Sequence, residues 1–136
     1  PAGNYHVAVR HRNHMGAMTA AAVSLGGSPT FVDMTAAATG SWGTDARKNV
    51  GGTMVLWTGN ARRDNVLKYT GTSNDRDEIL QAIGGTLPTG VLPGYHTMDV
   101  TLDGLVKYAG AANDRDPILV NIGGTVPTAT RVEQLP

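Results

Sequence analysis

Acidic and hydroxyl side chains alternate along one short segment in the second half of the chain. Asp99, Thr101 and Asp103 occupy alternate positions, and Gly104 and Leu105 follow directly. Calcium takes roughly six to eight oxygen ligands, and alternate residues of a tight loop can direct their side chains to one centre. Gly104 permits the sharp turn, and Leu105 stands where such loops supply a carbonyl ligand. The segment therefore predicts a calcium loop.

The acid that closes this loop stands further along the chain than in an ordinary calcium loop. Such loops end in an acid at about the twelfth position, but that residue is Gly110. A longer spacer brings the next acids, Asp114 and Asp116, towards the metal, and we predict Asp114 as the closing ligand. Asp116 precedes Pro117, which is typical of a helix N-cap and first helical residue, and it stays a second candidate ligand. The alternative is an Asx-rich turn without metal.

Residues 60–89 are repeated at residues 99–128, with a shift of 39 positions and no gap. Of the 30 aligned pairs 16 are identical, which is too many for two unrelated segments. A repeat of this length is usually one supersecondary unit used twice, and the copies bury each other's apolar faces. We therefore expect residues 60–98 and 99–136 to pack together as one unit.

The first copy contains a degraded form of the calcium loop. Arg62 stands where the second copy has Thr101, which puts a cation among the candidate oxygen ligands. Two arrangements are open: calcium binds weakly with the help of Asp75, or the Arg62 side chain replaces the ion by pairing with Asp64 or Asp75. Asn65 takes the place of the turn glycine, and we expect it to be left-handed. The candidate ligands of this copy are Asn60, Asp64, Asp75 and Asp77.

Short elements position these loops. Alternating or small apolar residues predict strands in the first part of the chain, and Gly, Ser, Asp and Asn predict a loop at residues 36–50. The predicted strands are residues 5–9, 17–23, 30–34 and 53–57. Each repeat is expected to follow its acidic loop with a Tyr-containing spacer and one short helix. Residues 78–83 and 117–122 form these helices, with Asp77 and Asp116 as N-caps and a Gly-Gly pair as the end.

The resulting fold class is α+β. Residues 1–59 are predicted to form a small antiparallel β-sheet or sandwich-like part. Residues 60–136 are predicted to form two 39-residue repeats, each a calcium loop plus a short helix. The tail at residues 129–136 has no predicted structure of its own.

Composition excludes several classes of function. The chain has eleven acidic and eleven basic residues, and this balance argues against nucleic acid or a membrane surface as partner, because both attract a basic excess. It has no cysteine, so thiolate zinc sites, disulfides and cysteine nucleophiles are excluded. No membrane span, nucleophile elbow, phosphate loop or zinc-protease motif occurs. We expect a non-catalytic module, processed or excised from a longer protein because it opens without Met.

Aromatic and basic residues near the start of the chain are candidate contacts to a ligand or partner. Arg10 and Arg12 lie in a basic segment that predicts a polar hairpin surface, and this surface suits an acidic sugar or an acidic loop of a neighbouring subunit. Trp42, flanked by glycine, and Tyr5 are the candidate surfaces for stacking on a sugar ring.

The repeat resembles the dockerin-type calcium repeat, a tandem pair of calcium loops, each followed by a helix. The resemblance rests on the loop that begins at Asp99 and on the repeated Asn-Asp-Arg-Asp segments. This chain has a longer spacer, shorter helices and a degraded first loop. The paired surface residues that would bind a cohesin partner are not evident, so cohesin binding is not carried over.

Nearly the whole chain also resembles a C-terminal module of large secreted proteins from Bacteroidetes. The matching segments are residues 5–14 (YHVAVRHRNH), 113–124 (NDRDPILVNIGG) and 131–136 (RVEQLP), with Lys107 and Tyr108. The resemblance implies an extracellular or cell-surface location and bound calcium, but no reaction.

We therefore expect a structural or adhesive module that associates with itself, for example in a filament, or with another cell-surface protein. A carbohydrate-binding module and a dockerin-like protein-docking module are the alternatives.

Overall fold

The computed structural model describes all 136 residues and has the mixed α+β architecture that the sequence predicts. Ten strands of two or three residues pair into five two-stranded antiparallel sheets, and two short helices complete the regular structure. The strands are β1 Gly3–Tyr5, β2 Ala8–Val9, β3 Ala17–Met18, β4 Val23–Leu25, β5 Lys48–Val50, β6 Thr53–Val55, β7 Val66–Lys68, β8 Val91–Pro93, β9 Leu105–Lys107 and β10 Thr130–Val132. The helices are α1 Asp75–Ala82 and α2 Arg115–Asn121.

The chain divides into two compact units. The first unit contains Pro1–His11, Gly16–Trp57 and Glu133–Pro136. The second contains Arg12–Met15 and Thr58–Val132. The division at residue 58 lies close to the predicted boundary at residue 59. Two short segments do not follow this boundary. Arg12–Met15 precedes residue 58 but belongs to the second unit, and Glu133–Pro136 follows it but belongs to the first.

The first unit contains three separate two-stranded ladders, β1–β4, β2–β3 and β5–β6, and no sandwich-like layer. The predicted strand at residues 5–9 is interrupted, because Thr19 bonds to the residues in its middle. The Nδ1 atom of His6 lies 2.8 Å from the Thr19 carbonyl oxygen, and the N–H of Val7 donates to the Thr19 hydroxyl group at 3.1 Å. The predicted strand at residues 17–23 is likewise divided into β3 and the start of β4.

A buried arginine organises the loop that lies between β4 and β5. The guanidinium group of Arg47 donates to the carbonyl groups of Met34, Ala36 and Thr39. The predicted strand at residues 30–34 is therefore wrong, since this part of the chain is irregular and bonds to a side chain. The predicted loop at residues 36–50 contains strand β5, which pairs with β6.

Each repeat of the second unit contains two strands that the sequence did not predict. The order in the first repeat is acidic loop, β7, α1 and β8, and in the second it is acidic loop, β9, α2 and β10. The bounds of β9 and β10 are those of β7 and β8 shifted by the 39 positions of the sequence repeat. The structural repeat thus extends beyond the identical segments, and β10 lies in the tail that was expected to have no structure.

The two repeats pair their strands reciprocally. Strand β8 of the first repeat pairs with β9 of the second, with Leu92 opposite Val106. Strand β10 of the second repeat pairs with β7 of the first, with Arg131 opposite Leu67. Both registers are the same after the 39-residue shift. Neither repeat can therefore complete its sheets alone, which supports the prediction of one packed unit.

Equivalent apolar residues form the centre of the second unit. The side chains of Leu67 and Val106, from β7 and β9, and those of Ile79 and Ile118, from the two helices, are all fully buried. Gly59 lies against this core with φ at +121°, and a Cβ atom at this position would lie 2.8 Å from Leu67 Cδ1. The glycine is needed both for its conformation and for this close approach.

Truncation of either buried isoleucine should destabilise the chain. We expect Ile79→Ala and Ile118→Ala each to lower the free energy of unfolding by about 2–5 kcal/mol, because a cavity remains where the side chain was. Val120→Ala, on the same helix as Ile118 but exposed, is the matched control and should change it by less than about 0.5 kcal/mol. Denaturant unfolding measures all three, and equal losses in the three variants would contradict the core assignment.

Candidate functional site in the two acidic loops

A buried carboxylate at the start of α2 closes the second acidic loop. The Oδ1 atom of Asp114 accepts hydrogen bonds from the backbone N–H and the hydroxyl group of Thr101, at 2.9 and 3.0 Å. Its Oδ2 atom accepts the N–H of Lys107 at 2.8 Å. The acid predicted to close the loop therefore reaches it. Both of its oxygen atoms, however, already accept hydrogen bonds from the loop and from β9.

Asp75 makes the equivalent contacts at the start of α1. Its two oxygen atoms accept the N–H groups of Arg62 and Lys68, at 3.1 and 2.8 Å. Burial raises the pKa of Asp75 to about 6, although the N–H donors act in the opposite direction. Burial raises the pKa of Asp114 as well. Both acids are fully buried, so desolvation is the largest influence on their pKa values.

An asparagine beside each buried acid caps the helix. Asn74 Oδ1 accepts the N–H of Asp77 at 2.9 Å, and Asn74 Nδ2 donates to the Asp77 carboxylate at 2.7 Å. Asn113 makes the same two bonds with Asp116, at 2.9 and 2.8 Å. The asparagine has the spacing of a capping box, but the carboxylate three positions later accepts its side-chain amide instead of its backbone N–H. Asp77 and Asp116 are therefore not the N-caps that the sequence predicted.

Asp99 organises the turn of the second loop. Its Oδ1 atom accepts the N–H of Asp103, and its Oδ2 atom accepts the N–H of Gly104, each at 3.1 Å. Asp103 Oδ1 accepts the N–H of Leu105 at 2.9 Å. Gly104 is left-handed, with φ at +83°, as the predicted sharp turn requires. The bond from Asp103 to the residue two positions on is an Asx turn, whereas Asp99 accepts N–H groups four and five positions on and so closes a wider turn.

Asn60 takes the place of Asp99 in the first loop. Its Oδ1 atom accepts the N–H of Asp64 at 3.1 Å, and its Nδ2 atom donates to the Asp64 carbonyl group. The guanidinium group of Arg62 pairs with Asp64 at 3.3 Å and with Glu78. Asp64 is thus the loop acid that pairs with the Arg62 side chain, while Asp75 receives the Arg62 backbone N–H.

Both loops use left-handed residues that are not glycine. Arg63 and Leu102 occupy equivalent positions with φ near +62° and +63°, and Ser73 and Ala112 form a second equivalent pair. The expectation that Asn65 is left-handed is wrong, because its φ is not positive although that of the equivalent Gly104 is. Such positions carry strain that the surrounding hydrogen bonds must offset. The strain recurs at these two pairs of equivalent positions, although the loops differ at Asn65 and Gly104.

Two cationic side chains contact the acids of the second loop. Arg12 Nη2 lies 3.1 Å from Asp99 Oδ2, and Lys107 Nζ lies 3.0 Å from Asp103 Oδ2. The lysine lowers the pKa of Asp103 through this hydrogen bond. Arg12 was predicted as a contact to an external ligand or partner. Its side chain is only 15% exposed and belongs to this loop.

The arrangement does not fit the predicted calcium ion. No three Asp, Glu or His side chains converge where a metal ion could lie. The carboxylates of Asp99, Asp103 and Asp114 all accept N–H groups, and a cation already contacts each of the first two. Calcium requires roughly six to eight oxygen atoms that face the ion. Calcium binding stays a prediction, and it requires the N–H groups and the two cations to release these carboxylates.

The other three predicted contact residues lie in the first unit. Arg10 pairs with Glu133 at 3.2 Å. The Trp42 ring is 46% exposed and meets the His6 ring edge to face at 5.7 Å. Tyr5 is 40% exposed. Trp42 and Tyr5 keep surface that an external molecule could contact, whereas Arg10 already has an acidic partner.

Sequence reasoning missed two groups that organise the loops. Asn74 and Asn113 are identical in the two repeats and stand three residues before an acid, which is the spacing of a capping box. Lys68 and Lys107 are also identical, and the sequence alone does not show that the ammonium group of Lys107 turns back to the loop. The spacing could have identified the asparagines, but only the fold identifies the lysine.

The chain matches no protein-family model, no curated protein and no solved structure. Neither helix has the length and apolar composition that crossing a bilayer requires.

The raised pKa of Asp75 predicts a loss of stability with rising pH. The pKa is about 6 in the folded chain and near the ordinary 3.8 in the unfolded chain, so the folded state binds more protons between these values. The free energy of unfolding attributable to Asp75 is therefore greatest below pH 4 and falls as the pH rises to about 6. We expect the chain to lose stability relative to Asp75→Asn across this interval. Denaturant unfolding at each pH measures the difference, and a pH-independent difference would contradict the assignment.

Proposed function

We propose that this chain is a non-catalytic structural or adhesive module of an extracellular protein, and that it self-associates through the open edges of its strands. The observation that carries the proposal is the sheet topology. Every sheet has only two strands, and each strand therefore has one edge without a partner strand. Unpaired edges present N–H and C=O groups to which another chain can bind.

Exposed apolar side chains on the strands of the first unit support this proposal. Val50 and Val55 lie on the β5–β6 hairpin and are 53% and 38% exposed, and Val9 on β2 is 40% exposed. The registers place Val55 opposite Lys48 and Val50 opposite Thr53, so both valines lie on one face of the hairpin. This face also carries Lys48 and Thr53, and its two exposed valines beside an unpaired edge favour association with a second copy of the hairpin.

The use of the loop acids supports a role without catalysis. A catalytic carboxylate must direct an oxygen atom to the substrate. The oxygen atoms of Asp75, Asp99 and Asp114 instead accept hydrogen bonds within the chain. These acids therefore stabilise the loops and have no orientation towards a substrate.

Carbohydrate binding is the second candidate, and an open cavity in the first unit favours it. The cavity has a volume of about 330 Å³ and is lined by Phe31, Asp33 and Thr39, among others. The Phe31 side chain is 90% exposed. An exposed ring beside a carboxylate and a hydroxyl group suits a sugar ring, and the volume lies at the lower end of ligand pockets. Retention on polysaccharide that Phe31→Ala abolishes would favour this function.

Dockerin-like docking to another protein is the third candidate, and it rests on the sequence resemblance alone. In a dockerin-like module, calcium is the ion expected to stabilise the loops. A stable complex with one partner from the source organism, rather than assemblies of the chain itself, would favour docking.

A charge on the hairpin face should weaken self-association. We expect the chain to form larger species as its concentration rises, and Val50→Lys to shift this assembly to at least about tenfold higher concentration, because like charges repel at the edge. Sedimentation velocity and electron microscopy measure the assembly.

Val120→Lys is the matched control, because it places the same charge on an exposed valine of α2. This variant should assemble like the unsubstituted chain. A chain that stays monomeric at all concentrations, or equal effects of the two lysines, would contradict assembly through strand edges.

A further inference from the structure

We propose that two cations of the chain itself, Arg12 and Lys107, hold the acids of the second loop in place of a metal ion, so that the loop folds without calcium. The inference concerns how the loop is stabilised and does not depend on the proposed self-association.

Arg12 neutralises the most buried acid of the turn. Asp99 is 2% exposed, and its Oδ2 atom lies 3.1 Å from the guanidinium group. The Tyr95 ring covers the other side of this group, with 3.8 Å between the guanidinium carbon and the ring centroid. This pairing offsets part of the cost of desolvating the Asp99 carboxylate, in addition to the two N–H groups that the carboxylate accepts.

The residue after Arg12 fixes the arginine at the loop. Asn13 is fully buried, and its Nδ2 atom donates to the carbonyl groups of Thr97 and Asp99, at 3.0 and 2.6 Å. These bonds attach the segment to the chain on both sides of Met98. Because Asn13 is fixed in this way, the backbone of the neighbouring Arg12 is held close to Asp99.

Lys107 joins the other two acids of the loop. Its ammonium group donates to Asp103 Oδ2 at 3.0 Å and to the Ala111 carbonyl group at 3.4 Å. Its backbone N–H donates to Asp114 Oδ2 at 2.8 Å. One residue of β9 therefore contacts both the acid of the turn and the acid that closes the loop.

The first loop shows what happens where the buried turn acid is absent. Asn60 stands in the place of Asp99 and makes its turn contact with a neutral carboxamide, so no arginine is required there. Lys68, equivalent to Lys107, keeps the carbonyl contact, with 3.5 Å between its Nζ atom and the Thr72 oxygen. Arg12, which lies outside both repeats, thus pairs with the buried turn acid of the second loop, whereas the arginine of the first loop, Arg62, pairs with Asp64 and Glu78.

Calcium would have to displace both cations. A dication in the loop would lie beside a guanidinium and an ammonium group, and these like charges repel it strongly in a partly buried site. The N–H groups that now bond to the carboxylates would also lose their acceptors. Internal cations and a calcium ion are therefore alternatives at this loop.

Thermal unfolding of the full chain tests the proposal directly. We expect the same Tm in excess calcium and in excess chelator, and no heat of binding when metal-stripped protein is titrated with calcium. A rise in Tm of several degrees with calcium, or binding at a stoichiometry near one, would overturn the proposal.

Two matched lysine variants sharpen the test. Lys107→Met keeps the length of the side chain and removes its charge, so it should lower Tm by several degrees and make Tm sensitive to calcium, because Asp103 then lacks its cation. Lys68→Met removes the equivalent lysine, for which no carboxylate contact is seen, and it should lower Tm less and leave it insensitive to calcium. Equal effects of the two variants would overturn the role of Lys107. If Lys107→Met does not fold, the calcium response of the unsubstituted chain decides the question.

Discussion

The bond between a buried carboxylate and two backbone N–H groups is the interaction on which the second unit depends. Asp75 and Asp114 each join the start of a helix to an acidic loop and to the strand after it. Ten polar and ten apolar side chains are buried in the whole chain, and the buried polar groups need hydrogen-bond partners within the chain. Removal of one such acid would leave buried N–H groups without acceptors, which costs about 1–3 kcal/mol for each group.

The reciprocal pairing of strands follows from the shortness of the elements. Strands of three residues and helices of seven or eight are not stable in isolation. Pairing β8 with β9, and β10 with β7, makes each repeat supply the strand that the other lacks. The equivalent residues Ile79 and Ile118 are both fully buried. Loops, strands and helices are therefore stabilised as one cooperative unit.

The two units differ in what they leave available to other molecules. The second unit uses its acids, carboxamides and two of its cations to hold its own loops. The first unit has three isolated ladders, exposed valines on β2 and the β5–β6 hairpin, and an exposed Phe31 beside an open cavity. The exposed valines and the open cavity of the first unit are the reason why contacts to other molecules are proposed for this unit.

The sequence by itself determined the repeat, the presence and ends of both helices to within a few residues, the sharp turn at Gly104 and the approach of Asp114 to the second loop. These features depend on residues close to one another in the chain or on the identity of the two copies. Only the tertiary structure decided the strand pairing and the partners of the loop acids. Arg12 reaches Asp99 across 87 positions, and β7 finds its partner at the far end of the repeat region. A local sequence pattern shows which polar groups and strands need a partner, and the tertiary fold decides which residue or strand supplies it.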